Sequence, residues 1–270
     1  MLPRTNAGHR MSRTICRRIR VMGRIDSEAM STKRSEGLEM MRTEVYRQFK
    51  QCLFSGELKP GQFVSQRELA ALIGAPLAPV REAIRQLECE QLIRVFPQRG
   101  LQIVESDPKT INDGHDYRLL LELAAIREFA LNAPLETIGE IRGQTEAAMA
   151  ALRRAPENNE EIKAALETAW DFHEAIVDFQ DNSIISHHYR LNSARIRLFR
   201  SSSSQPKDFL PSALQHHLAI LDACAERNID EAVRLIAEDI ERSRAIVLGL
   251  RPERRPQHQP LVEPLGAGTR

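Results

Sequence analysis

Two histidines and one aspartate fall on otherwise apolar helical stripes in the C-terminal half of this 270-residue chain. Leu166, Ala169, His173, Ile176, Val177 and Gln180 share one face, Leu214, His217, Ile220, Leu221 and Cys224 a second, and Ala232, Ile236, Asp239, Ser243 and Ile246 a third. Residues three and four apart lie on one side of a helix, so all three polar groups point inward. A buried histidine is often only a satisfied core residue, but a buried carboxylate needs a partner. Two imidazoles and one carboxylate are a recurrent divalent-metal set that leaves coordination positions open for water or a ligand. Arg118 and Glu122, spaced i,i+4 on a very apolar helix, could present a cation to a metabolite carboxylate or simply lock the helices together. Arg195 shares a stripe with His188, Leu191, Asn192 and Phe199 and is a second candidate cation for such a pocket.

A third set lies upstream: Arg67, Arg81, Arg85 and Arg99. Each could be an ordinary surface arginine, and the elements that hold them decide otherwise. Val45, Phe49, Cys52 and Leu53 form an apolar stripe that ends at Gly56 and Pro60-Gly61. Ser65 and Glu68 form a capping box that starts a short helix at Gln66, with Leu69, Ala70 and Ile73 inward and Gly74 at its end. A third helix spans about Leu77 to Glu90 with Val80, Ile84 and Leu87 inward, and residues 92–95 and 101–104 flank Pro97-Gln98-Arg99-Gly100 as a β-hairpin. Helix, helix, tight glycine turn, helix and hairpin is the order of a winged helix-turn-helix. In that arrangement the third helix enters the major groove N-terminus first, and the hairpin tip lies on the backbone or minor groove. The four arginines then converge on one DNA-facing surface, with Leu77 and Ala78 at its leading edge.

From 109 to 250 the pattern is helix after helix, in six segments near 111–132, 135–154, 157–180, 183–201, 208–226 and 229–249, with Pro134 and Pro156 in first turns. The expected fold is mainly α: an N-terminal winged helix-turn-helix followed by an all-α six-helix bundle. The domains read as a disordered basic arm (1–37), a DNA-binding domain (38–107), a helical effector-binding and dimerisation domain (108–250) and a disordered tail (251–270). Formal charge is +6, 0, −7 and +2 over these four stretches, a polarity that suits a DNA-binding end and an acidic sensor end. The arginine-rich start also admits a presequence or a later start methionine.

The segments Ser65-Gln-Arg-Glu-Leu-Ala-Ala-Leu-Ile-Gly74, Pro79-Val-Arg-Glu-Ala-Ile-Arg-Gln-Leu87 and Pro97-Gln-Arg-Gly100 closely resemble the GntR family of bacterial regulators over about residues 40–105. The resemblance implies that Arg67 and Arg81 contact phosphates or bases and that Arg99-Gly100 forms the wing tip. Where the family usually opens the recognition helix with Ser-Arg, this chain has Pro76-Leu77, which removes a serine cap and a candidate guanine contact.

Tyr117-Arg118 with Glu122, Phe172-His173 followed by Asn182, and His217 followed by Ala219-Ile220-Leu221-Asp222-Ala223 resemble the FCD effector domain of the FadR-like branch. Many such domains hold a divalent metal, often zinc, through one Asp and three His. Mapped onto this chain, the Asp position is Ala169 and the His positions are His173, His217 and Asp239, so one ligand is missing and one is exchanged. Asp171, two residues from His173, faces elsewhere and is no substitute. A metal site and a degenerate, metal-free pocket are both open. In the second case Arg118, Glu122, Asn182 and Arg195 would hold the effector, although Asn182 equally suits a helix cap before Ile184 and Ile185.

The resemblance implies a regulator, usually a repressor, that binds operator DNA as a homodimer and responds to a carboxylic or sugar acid. A C-terminal domain that only dimerises is the alternative. An enzyme built on His173, His217 and Asp239 lacks an accompanying nucleophile elbow, phosphate loop or HExxH. No stretch approaches a membrane span and Cys16, Cys52, Cys89 and Cys224 form no CxxC pair, so a cytoplasmic, nucleoid-associated bacterial protein with reduced thiols is expected.

Overall fold

Ser65 starts the second helix as its spacing requires: its hydroxyl accepts from the Glu68 backbone N–H at 3.1 Å, and Glu68 Oε2 accepts from the Ser65 N–H at 2.7 Å. The computed structural model describes residues 39–201 and 206–250, so the expected arm and tail lie outside the described residues. A first helix, α1 (39–54), precedes strand β1 (Phe63–Val64), α2 (Gln66–Ile73) and α3 (Leu77–Cys89). Strands β2 (Ile93–Phe96) and β3 (Gly100–Ile103) form the hairpin, and β1 adds to it antiparallel, giving the order β1-β3-β2. The core beneath is Val45, Phe49, Leu53, Leu69, Val80, Ile84 and Leu87, the stripes expected from periodicity.

Gly100 is fixed by close approach. Its φ is +92°, and a Cβ there would lie 2.6 Å from the Val64 carbonyl oxygen. Gly100→Ala is therefore expected to cost about 2 kcal/mol or more. Urea unfolding would show a lower midpoint at unchanged slope, and an unmoved midpoint would mean that the hairpin tip yields freely.

The six helices expected after 108 are all present: α4 (Pro108–Asn132), α5 (Leu135–Arg154), α6 (Asn159–Asp178), α7 (Ser183–Arg200), α8 (Pro206–Ala225) and α9 (Ile229–Val247). Asp107 caps α4 through the Thr110 N–H, with Pro108 in the first turn. Pro134 and Pro156 stand just outside their helices rather than within them. In the second case Asn158 caps α6 by accepting from Glu160 and Glu161, which delays the helix past the proline. Helix α4 packs along α9 and also meets α6, α7 and α8.

The two parts are not separate cores. Ile111 of α4, Ala194, Leu198 and Phe199 of α7 and Val247 of α9 belong to the same apolar cluster as the N-terminal core. At this joint Ser201, just past α7, lies 3.3 Å from the Leu53 carbonyl through its hydroxyl. Gly56 (φ +78°) follows Leu53, and a Cβ there would sit 3.2 Å from the Ser201 carbonyl oxygen.

Candidate functional site

His173 on α6, His217 on α8 and Asp239 on α9 meet at the centre of the bundle, all three buried. Their ligand-capable atoms lie within 4.8 Å of one another. Asp239 Oδ2 is 3.4 Å from His173 Nε2 and 3.7 Å from His217 Nε2. Donors about 2.0–2.2 Å from a common ion stand roughly 3–3.6 Å apart, so the set is close to closing on one cation.

The surroundings fit that reading. His173 Nδ1 donates to Glu122 Oε2 at 2.8 Å, the carboxylate–histidine arrangement that orients metal-ligating imidazoles. With that proton committed, His173 Nε2 faces the Asp239 carboxylate, and the contact requires either a second proton or a cation between them. Burial lowers the His217 imidazole to about 4, although Asp239 opposes the shift. Burial alone would raise the Asp239 carboxyl, yet the adjacent His173 and His217 imidazoles hold it well below the usual carboxylate range. A neutral imidazole and an ionised carboxylate are the forms that bind metal. His217 Nδ1 is buried without a hydrogen-bond partner among the described residues, and its ring stacks on Phe172 at 4.1 Å. Ala169 lies on the same cavity, and Asp171 is exposed on another face.

Glu122 stands behind the site rather than in it. It is fully buried and accepts from Arg118 Nε at 2.6 Å, Tyr189 Oη at 2.6 Å and His173. Burial pushes its carboxyl up, but Arg118 and His173 dominate and hold it at about 2. The tied Arg118 still lines the cavity, and its Nη2 is buried with no partner among the described residues.

The cavity beside the triad is small, about 30 Å³, and is lined by Arg118, Trp170, Arg200, Phe209, Arg242 and Ser243 among others. Arg200 donates to Ser243 Oγ at 2.6 Å, its guanidinium 5.3 Å from the Trp170 ring centroid and 4.6 Å from that of Phe209. Arg200 was not singled out from sequence, although it continues the buried α7 stripe through Ser193 and Ile196. Trp170 and Arg242 sit beside the stripes of Ala169 and Asp239 and carried no signal of their own.

Two expected effector residues lie elsewhere. Asn182 caps α7, accepting from Ile184 and Ile185 at 3.1 and 3.2 Å, and is exposed. Arg195 lines a separate cleft of about 380 Å³ where α3, α4 and α7 meet, with Nη1 3.4 Å from Gln91 Oε1. Its stripe continues to Phe199, which is buried in the N-terminal core, so this face of α7 turns to the joint.

On the winged module, Arg67, Arg81, Arg85 and Arg99 are all exposed, as are Leu77 and Ala78. Arg81 Nε donates to Gln66 Oε1 at 3.1 Å, which ties α3 to the start of α2 beside Arg67. Arg85 pairs with Glu82 at 2.5 Å, and Gly100 closes the hairpin next to Arg99. Pro76 occupies the cap position of α3 without a side-chain hydrogen bond. Among the described residues no helix is long and apolar enough to cross a membrane.

Residues 41–103 match the bacterial regulatory proteins of the gntR family, and residues 113–242 match the FCD domain. The chain is 30% identical over 139 residues to the uncharacterized HTH-type transcriptional regulator YdhC of Bacillus subtilis, which covers 52% of this chain and 60% of that protein. It is 26% identical over 216 residues to an uncharacterized HTH-type regulator in an unstable DNA locus of Streptomyces ambofaciens, covering 76% and 86%. The solved structure of E. coli McbR/YncC superposes with a TM-score of 0.63 at 19% identity, over 77% of this chain and 97% of that one, a likeness of fold. With a winged helix-turn-helix and an FCD bundle matched in that order along one chain, the protein belongs to the GntR family of bacterial transcriptional regulators, in the branch that carries an FCD domain.

Proposed function

We propose that this DNA-binding regulator is a ligand-released repressor, acting as a homodimer in the bacterial cytoplasm on a near-palindromic operator. In this reading Arg67, Arg81, Arg85 and Arg99-Gly100 hold the duplex, with α3 in the major groove. The FCD bundle holds one divalent ion, zinc or similar, on His173, His217 and Asp239, and takes a small carboxylic or sugar acid beside it. The observation that carries this is the convergence of those three buried side chains on a cavity that three arginines also line. A divalent ion held there would supply a Lewis-acid position for a carboxylate oxygen. Arg118, with an unspent donor, and Arg200 and Arg242 would neutralise the acid's remaining charge.

A cavity of about 30 Å³ has room for about one water molecule, not a metabolite. The acid therefore binds a wider bundle, and that preference is the differential affinity a switch needs. The movement has a direct path to the DNA-binding domain, since Arg200 in the cavity and Ser201 at the joint are consecutive residues.

Elemental analysis of untagged protein, wild type beside His173→Ala, tests the centre. Roughly one equivalent of metal per chain in the wild type, absent from the variant, is expected. Metal in neither protein would sink the metal centre and leave an arginine-only acid site.

A further inference from the structure

The leading edge of the recognition helix carries no hydrogen-bonding side chain. Pro76, Leu77 and Ala78 are exposed in sequence, with Leu77 38% accessible, while Pro79 and Val80 turn into the core. One turn on, and on the same face, stand Arg81 and then Arg85, with Arg67 beside them through the Gln66–Arg81 contact. The apolar tip stands beside three exposed cations, and the cations name its occupant: a polyanion whose groove presents some apolar group.

Base edges in the major groove offer acceptors, donors and one alkyl group, the C5-methyl of thymine. Leu77 can satisfy neither an amino group nor a carbonyl, so any other edge pressed against it would lose its water without replacement. We infer that Leu77, backed by the Ala78 methyl, reads a thymine methyl in each half-site. This rests on the DNA-binding reading above and assigns the part of the operator that the arginines do not. The read-out is shape and methyl contact at the outer end of α3, with Arg81 and Arg85 supplying the polar contacts one and two turns behind it.

The test uses the full chain and duplexes that it enriches from a random pool. Each thymine of an enriched duplex is replaced in turn by deoxyuridine, which deletes only the methyl. Dissociation constants are measured for wild type and Leu77→Ala, a variant that keeps a helix-forming residue at an exposed position. A buried methyl is worth about 0.8 kcal/mol, which is about a fourfold change in affinity. One thymine per half-site should therefore weaken wild-type binding about fourfold on replacement, and about 15-fold when both half-sites are changed. The same replacement should leave Leu77→Ala unaffected, and 5-methylcytosine at that position should bind the wild type more tightly than cytosine. Enriched duplexes insensitive to every deoxyuridine, or a weakening that persists undiminished in Leu77→Ala, would overturn the assignment to Leu77 while leaving DNA binding intact. Failure to enrich any duplex would overturn the DNA-binding reading itself, and the methyl read-out with it.

Discussion

Replacing Glu122 by alanine is expected to destabilise the FCD bundle by about 3–5 kcal/mol, the largest effect of any single side chain at the site. Glu122 is the shared acceptor for Arg118, Tyr189 and His173, and none of the four is open to solvent. Its removal leaves a guanidinium that is 1% exposed without its close counter-charge, and it frees a phenol and an imidazole from their partner. Breaking a buried pair is costly because the surviving charge stays desolvated, whereas replacing both charges by apolar groups of similar volume can be nearly neutral. Arg118→Met combined with Glu122→Leu should therefore recover most of the stability that Glu122→Ala removes, a non-additivity that denaturant unfolding of the single and double variants measures directly. If the double variant is as unstable as the sum of its parts, the pair makes a net contribution to stability and is more than a mutual neutralisation. Elemental analysis of the double variant separates the two roles of Glu122, since a folded bundle with reduced metal content would show that the carboxylate orients His173 as well as holding Arg118.

The second large effect belongs to Arg81→Ala, which should weaken binding to an enriched duplex by about 10–100-fold per half-site. The residue stands one turn inside the recognition helix, and its Nε is held by Gln66 Oε1 at 3.1 Å, which fixes the direction of the guanidinium before DNA arrives. Pre-orientation reduces the entropy cost of binding, so Arg81 should outweigh Arg85, whose charge is shared with Glu82 at 2.5 Å. Arg67→Ala and Arg99→Ala should behave differently. If both meet the DNA backbone, each substitution should weaken all duplexes alike and lower the log–log salt slope by about 0.9 for every phosphate that is no longer neutralised. An Arg81→Ala protein that binds its duplex as tightly as wild type would remove α3 from the groove.

Much of this was legible without coordinates because it rests on local rules. The Ser65/Glu68 box and the apolar stripes of α1 to α3 are short-range features, and the structure realises them as expected. The β1 strand was not visible: two residues, Phe63 and Val64, carry no periodicity, and the strand exists because β3 lies alongside it. Within the bundle, helical phase put His173, His217 and Asp239 on inward stripes, and the resemblance to the FCD domain implied that the three stripes meet. The same logic misplaced Arg195, because phase gives the side of a helix but not what lies across from it. On α7 that neighbour is the winged domain. Asn182 shows a related limit, for a polar residue at a helix start satisfies local backbone donors before it serves any distant ligand.

If the bundle binds an acid as proposed, the small size of the cavity would also set the tempo of the response. A ligand that cannot fit the resting bundle waits for helices to part, so its association rate follows the frequency of opening, a microsecond-to-second process, rather than diffusion. The same closure would delay escape of a seated acid. Such a sensor averages over brief fluctuations in metabolite level: a short pulse finds few bundles open, and a sustained rise is remembered after the concentration has fallen. On that account the packing around Arg200 and Trp170 would act as a low-pass filter on the regulator's input, with a time constant set by the helix packing.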